Sequence, residues 1–195
     1  RLEIAHLKAL GPPVWGKAPE LLELLEQARG EGIDVAADQY PYPASGSSIT
    51  GALIPRWAQA DGREAMLNKL QDSEQRKKVR QAVEENYARR GGAERLTVAF
   101  YSPNRNYEGK TMADLSELTN TEPAELALQL LEKADASFVS HVINEEDMHT
   151  IARHHLVCFA SDGASVSREG VLSTGQPHPR YYGTFPRVLS EFVRK

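Results

Sequence analysis

Two imidazoles, two carboxylates, a lysine and a phenol stand just beyond short apolar runs in this chain. The first run ends at His6, with Lys8 two residues on. The second ends at Asp38 and Tyr40, the third at Ser140 and His141, the fourth at Ser161-Asp162-Gly163. Imidazole nitrogen and carboxylate oxygen are the atoms a catalytic zinc accepts. A carboxylate beside such a metal takes a proton from the bound water, whose pKa the metal lowers to about 7. Asp162 suits that role of general base. Each residue alone has an ordinary reading: Asp162 as a cap or turn residue, His6 as a hydrogen-bonded structural histidine. Their recurrence at equivalent positions of successive units favours chemistry.

The elements that must carry these side chains follow from periodicity. Residues 2–7 read as a short buried strand, broken by Gly11-Pro12-Pro13. The spacing of Leu21, Leu22, Leu24, Leu25 and Ala28 predicts a helix over 19–29, closed by Gly30 and Gly32. Residues 33–38 make the next strand, small and apolar like a parallel strand covered on both faces. Residues 40–48 are too rich in turn formers to be regular. Helices are expected over 64–70, 73–90 and 112–118, the second with Ser73 as a plausible cap, and a strand over 96–101. The first rhythm then returns: helix 122–133, strand 136–142, helix 145–153, strand 156–161. An irregular stretch follows over 175–186, and a last helix begins near Leu189.

The class is therefore α/β, as a partial (β/α)8 TIM barrel: about four βα units with an inserted α-rich subdomain. The boundaries are 1–50 and 122–195 for the barrel units and 51–121 for the insertion. Reactive residues of such barrels sit at the C-terminal strand ends, which is where the residues above fall. A doubly wound sheet is the alternative, though no glycine fingerprint for a nucleotide phosphate follows any strand.

Composition excludes several classes. The 195 residues are 41% hydrophobic with a net charge of −4. Both signs are interspersed, so no nucleic-acid partner is expected. No apolar run approaches the roughly 20 residues of a membrane span, so no membrane partner is expected either. A cytoplasmic location is the default expectation, on which the missing leader bears little because the chain opens in a strand already under way. The single Cys158 rules out an internal disulfide framework, and its apolar neighbours Val157 and Phe159 suggest a buried core residue. His154-His155 precedes the last strand and is expected to face solvent.

Four segments together resemble a known family. They are Ala5-His6-Leu7-Lys8, Asp38-Gln39-Tyr40-Pro41-Tyr42-Pro43-Ala44-Ser45, Ser161-Asp162-Gly163, and the stretch from His178-Pro179-Arg180 through Tyr181-Tyr182-Gly183-Thr184-Phe185-Pro186-Arg187. In order, they are similar to the D-aminoacylase (N-acyl-D-amino-acid deacylase) branch of the amidohydrolase superfamily. The last is long and specific. The resemblance implies a distorted barrel with an insertion, of which these units correspond to strands five to eight. It implies zinc as cofactor and an N-acyl-D-amino acid as substrate.

It further implies that His6 is the metal-binding histidine of the fifth strand and Asp162 the general base of the eighth. Tyr40 would stand where relatives place another histidine ligand, as a phenolate, or with His141 substituting, or with fewer ligands on the metal. For the substrate carboxylate, Arg56 is the first candidate, with Tyr42, Ser47 and Ser48 as hydroxyl donors and Lys8, His178, Arg180 and Arg168 near the expected mouth. The segment 163–186 is a possible lid. The competing functions are an inactive barrel fragment or interaction module, and an amidohydrolase acting on a cyclic amide of the hydantoin or dihydroorotate kind. Half a barrel leaves strand edges unpaired, so self-association and little activity of this piece alone are expected.

Overall fold

A computed structural model describes residues 1–173 and 175–194. Residue 174, inside the expected lid, and residue 195 lie outside the described residues. In chain order the elements are β1 (Leu2–Ile4), α1 (Ala18–Gly30), β2 (Val35–Gln39), β3 (Ser45–Ser48), α2 (Ile49–Leu53), α3 (Arg56–Gln59), α4 (Gly62–Gln71), α5 (Ser73–Arg90) and β4 (Leu96–Phe100). Then come α6 (Met112–Thr119), α7 (Pro123–Lys133), β5 (Ser137–Ser140), α8 (Glu145–Ala152), β6 (Val157–Phe159) and α9 (Arg180–Arg187), which continues as a π-helical segment over Val188–Val193. The α/β class holds. The chain divides into two units, each with its own sheet.

The first unit comprises 1–45, 142–174 and 178–195. Its sheet has the order β1-β2-β6, parallel throughout, with Leu2 opposite Val35 and Ala37 opposite Val157. The central strand β2 buries Val35 and Ala37 against Leu22 and Leu25 of α1. Small residues at these positions let the helix approach closely. Both edge strands are open: Leu2 of β1 is 52% exposed, and Cys158 of β6 is exposed rather than buried. An apolar neighbourhood in sequence does not bury a side chain on an edge strand with one face uncovered.

A buried carboxylate fastens α1. Asp147 of α8 is 3% exposed, and it accepts hydrogen bonds from the amides of Gly16 (2.7 Å) and Ala18 (3.2 Å). Those amides lie at the start of α1, whose own N-cap, Lys17, supplies no side-chain cap. Amides at a helix start have no partner inside the helix and favour negative charge.

The second unit comprises 46–141 and 175–177. Its sheet has the order β3-β5-β4, with β4 and β5 antiparallel and Thr97 opposite Val139. Leu96, Val98, Val79, Val83, Leu128, Leu131 and Phe138 form its core, each at most 1% exposed. Arg76 of α5 pairs with Glu125 (2.6 Å) and Glu132 (2.5 Å) of α7, tying the two helices. Asp72, not Ser73, caps α5, accepting from the Gln75 amide at 2.8 Å, and Gly91 at φ 83° ends it.

Three expectations change here. The strand expected as a third barrel strand is β5, and it pairs antiparallel in this second sheet, so the parallel sheet has three strands, not four. Its alternation of half-buried and buried residues is that of an antiparallel strand with one solvated face. The serine-rich stretch expected as loop contains β3. The stretch expected to be irregular through residue 186 forms α9, with Pro186 close to its C-terminal end.

Replacing Asp147 by Ala strands two amides at the start of α1. Asp147→Ala is expected to lose about 2–3 kcal/mol in urea unfolding, with Asp147→Asn losing less. Leu131→Ala, in the core of the second unit, should lose about 2–5 kcal/mol.

Candidate functional site

The parallel strands place three expected residues just beyond their C-terminal ends: His6 after β1, Tyr40 after β2, Asp162 after β6. His6 and Asp162 share an unusual backbone, each with φ 44°. That region costs an L-residue about 1–2 kcal/mol. Among the described residues Asn120 is the other non-glycine case, and it ends α6 as a C-cap. Strain without a capping role is retained where something else fixes the geometry. For His6 the fixing contact is visible: its amide donates to Asp38 Oδ1 at 2.7 Å. The Lys8 ammonium donates to the His6 carbonyl.

Arg180, at the start of α9, gathers the cluster. Its side chain is 6% exposed, and Nη2 lies 3.0 Å from Asp162 Oδ2. The guanidinium covers the Tyr40 ring at 4.6 Å and the Tyr181 ring at 5.6 Å. Its Nε and Nη1 are buried without a hydrogen-bond partner. Lys8 lies 5.4 Å above the same Tyr40 ring. Burial lowers the Lys8 ammonium to about 8, with Arg180 adding to the drop and Asp162 and Asp38 opposing it. Burial also pushes the Tyr40 phenol far up, against the opposing pull of Arg180. Tyr40 is 2% exposed, its hydroxyl makes no hydrogen bond of ordinary geometry, and it stands here as a neutral phenol.

His178 bonds to backbone through both ring nitrogens. Nε2–H donates to the Ala44 carbonyl at 2.9 Å, and Nδ1 accepts from the Arg180 amide at 3.0 Å. Its ring meets Tyr40 edge-on at 5.9 Å and Tyr42 at 5.5 Å. A buried imidazole bonded on both nitrogens to backbone holds Arg180 in place. Tyr42 in turn lies under Arg187, 5.0 Å from its ring, a contact that sequence reasoning missed. Arg168 is exposed in the first unit. Ser47, half-buried in β3, Ser48, which caps α2, exposed Arg56 at the start of α3 and exposed His141 all lie in the second unit.

One imidazole and one carboxylate are the right chemistry for zinc, but a catalytic zinc takes three protein ligands. Among the described residues, no group of three metal-ligating side chains within 4.8 Å includes His6 or Asp162. Two cations, Lys8 and Arg180, stand beside Asp162 instead. The described residues alone do not make a zinc site at this place.

Comparison with known proteins sets this cluster in context. No family model matches the chain. It is 26% identical over 192 residues to N-acyl-D-glutamate deacylase from Alcaligenes xylosoxydans xylosoxydans, covering 98% of this chain and 30% of that protein. To D-aminoacylase from the same organism it is 25% identical over 191 residues, again 98% and 30%. Among solved structures, N-acyl-D-glutamate deacylase from Bordetella bronchiseptica, complexed with zinc and a phosphonate inhibitor, matches at TM-score 0.67 with 23% identity, over 98% of this chain and 31% of that one. A D-aminoacylase described as defining a novel subset of amidohydrolases matches equally, at TM-score 0.67 and 22% identity, with the same coverage. The structural matches carry the fold; the chain spans about 30% of the length of its curated relatives. Over nearly all of its length, then, this chain is similar to an N-acyl-D-glutamate deacylase and a D-aminoacylase.

Proposed function

We propose that this chain is part of a hydrolase that cleaves the amide bond of N-acyl-D-amino acids, with Asp162 as its general base. The carrying observation is the Asp162–Arg180 pair at the C-terminal edge of the parallel sheet, with Lys8 beside it and two buried guanidinium donors left over. Buried donors without partners cost stability unless a ligand satisfies them. An anion fits them, and the α-carboxylate of an N-acyl-amino acid is one.

On this reading Arg180 and Lys8 hold the substrate carboxylate, and the Tyr40 ring and Tyr42 form one wall. Arg180 also aims the Asp162 carboxylate through the 3.0 Å contact. Asp162 takes the proton of the attacking water as its oxygen bonds to the acyl carbon. It then hands that proton to the nitrogen as the C–N bond breaks, releasing a carboxylic acid and a D-amino acid. Zinc, which the Bordetella relative binds, would take His6 and Asp162 as two ligands, with the rest not supplied by the described residues. Ser47 and Arg56 remain proposed contacts for the substrate, and the barrel as a whole remains part of the proposal.

The short ligand set favours one alternative, an inactive fold fragment. The two separate in one experiment: the full-length protein is assayed for zinc content and for hydrolysis of N-acetyl-D-amino acids, N-acetyl-D-glutamate included. Turnover of the D but not the L series, with bound zinc, supports the hydrolase; neither turnover nor zinc under metal-replete conditions supports the fragment. Asp162→Asn is expected to lower kcat about 100-fold or more with little change in KM. Arg180→Lys and Lys8→Met are expected to raise KM instead. His6→Gly removes strained backbone while keeping the amide bond to Asp38. It should gain up to about 1 kcal/mol in thermal unfolding while activity is lost.

A further inference from the structure

Away from the strand tips, a second group of side chains comes together in the first unit. Glu26 of α1 meets His154 and His155 in the turn between α8 and β6. Among the described residues it is the group of three metal-ligating side chains whose donor atoms all lie within 4.8 Å of one another. Both histidines turn Nε2 toward the same carboxylate oxygen, Glu26 Oε1, at 3.2 Å and 3.5 Å. The rings lie 4.8 Å apart at 32°. His154 is mostly buried, with 17% of its side chain exposed; His155 and Glu26 face solvent at 71% and 48%.

The spacing is compatible with a metal's coordination sphere. Bonds of about 2.0–2.1 Å from zinc to imidazole and carboxylate impose tetrahedral edges of about 3.3–3.4 Å between donor atoms. Two of the three edges, at 3.2 Å and 3.5 Å, bracket that length. Two imidazoles and one carboxylate with an open fourth corner also suit zinc, nickel or copper better than a hard cation such as calcium. The opposing contact is small: the Leu156 amide donates to His154 Nδ1 at 3.4 Å, a long bond that is given up when Nε2 takes a metal and Nδ1 carries the proton. We propose that Glu26, His154 and His155 form a divalent transition-metal site, with water as fourth ligand. The histidines precede the N-terminal end of β6, and Asp162 follows its C-terminal end, so the site is distinct from the strand-tip cluster. It acts as a brace, joining α1 to the turn that feeds the edge strand.

The test is zinc titration of the untagged full-length protein after metal stripping, read by calorimetry and by competition with a chromophoric chelator. Wild type, His155→Ala, Glu26→Gln and the double variant His6→Ala/Asp162→Asn are compared. The expected result is one zinc equivalent retained in the double variant. Its affinity should fall about tenfold or more in His155→Ala and in Glu26→Gln. In the His6→Ala/Asp162→Asn background zinc should raise the melting temperature, and it should no longer do so once His155→Ala or Glu26→Gln is added. Glu26→Gln lies on an exposed helix surface, so it serves if His155→Ala misfolds. Equal stoichiometry and affinity in wild type, His155→Ala and Glu26→Gln would overturn the site and leave the three residues a plain ion pair sharing one carboxylate.

Discussion

One guanidinium organises the strand-tip region. Arg180 is almost wholly withdrawn from water, and a cation so placed is tolerated only with compensation. Asp162 supplies the counter-charge at 3.0 Å, and the Tyr40 and Tyr181 rings supply aromatic faces at 4.6 and 5.6 Å. His178 holds the Arg180 backbone by one nitrogen and the Ala44 carbonyl by the other. The arginine is thus positioned by the chain on either side of it, and through it the end of β6 is tied to the end of β2. A lysine could not take this place, since a compact ammonium neither stacks flat on a ring nor offers a planar fork.

Around that cation the backbone itself is bent to purpose. His6 and Asp162 both leave their strands through left-handed conformations that a glycine would accept more readily. An imidazole and a carboxylate stand at those two positions, and backbone strain of this kind clusters at functional sites. The scaffold tolerates the cost because β2 between them is rigid, with Val35 and Ala37 locked under α1.

What could be read in the residues, and what could not, divides along physical lines. The span of α5 follows from composition, since a polar periodic run ending at Gly91 admits little else. Lys8, Tyr40, Asp162 and Arg180 were legible as site candidates because strand ends and a long motif mark them. The fate of β5 was not, because a four-residue strand, Ser-Phe-Val-Ser, carries no label for its pairing partner or direction. Cys158 misled because burial depends on which strands flank β6, and nothing local says that it lies at an edge. The backbone role of His178 and the meeting of Glu26 with His154 and His155 are long-range facts, created only when distant segments fold together.

The strand order β1-β2-β6 also bears on assembly. β6, the partner of β2, lies more than a hundred residues beyond it, with the whole of 46–141 in between. The intervening unit has its own sheet and core. The parallel sheet cannot be completed until β6 is available, and joining its ends means closing a very long loop, which is slow even where its entropy cost is modest. During synthesis β2 therefore waits for its partner on one side while the segment that will supply Asp162 is still to come.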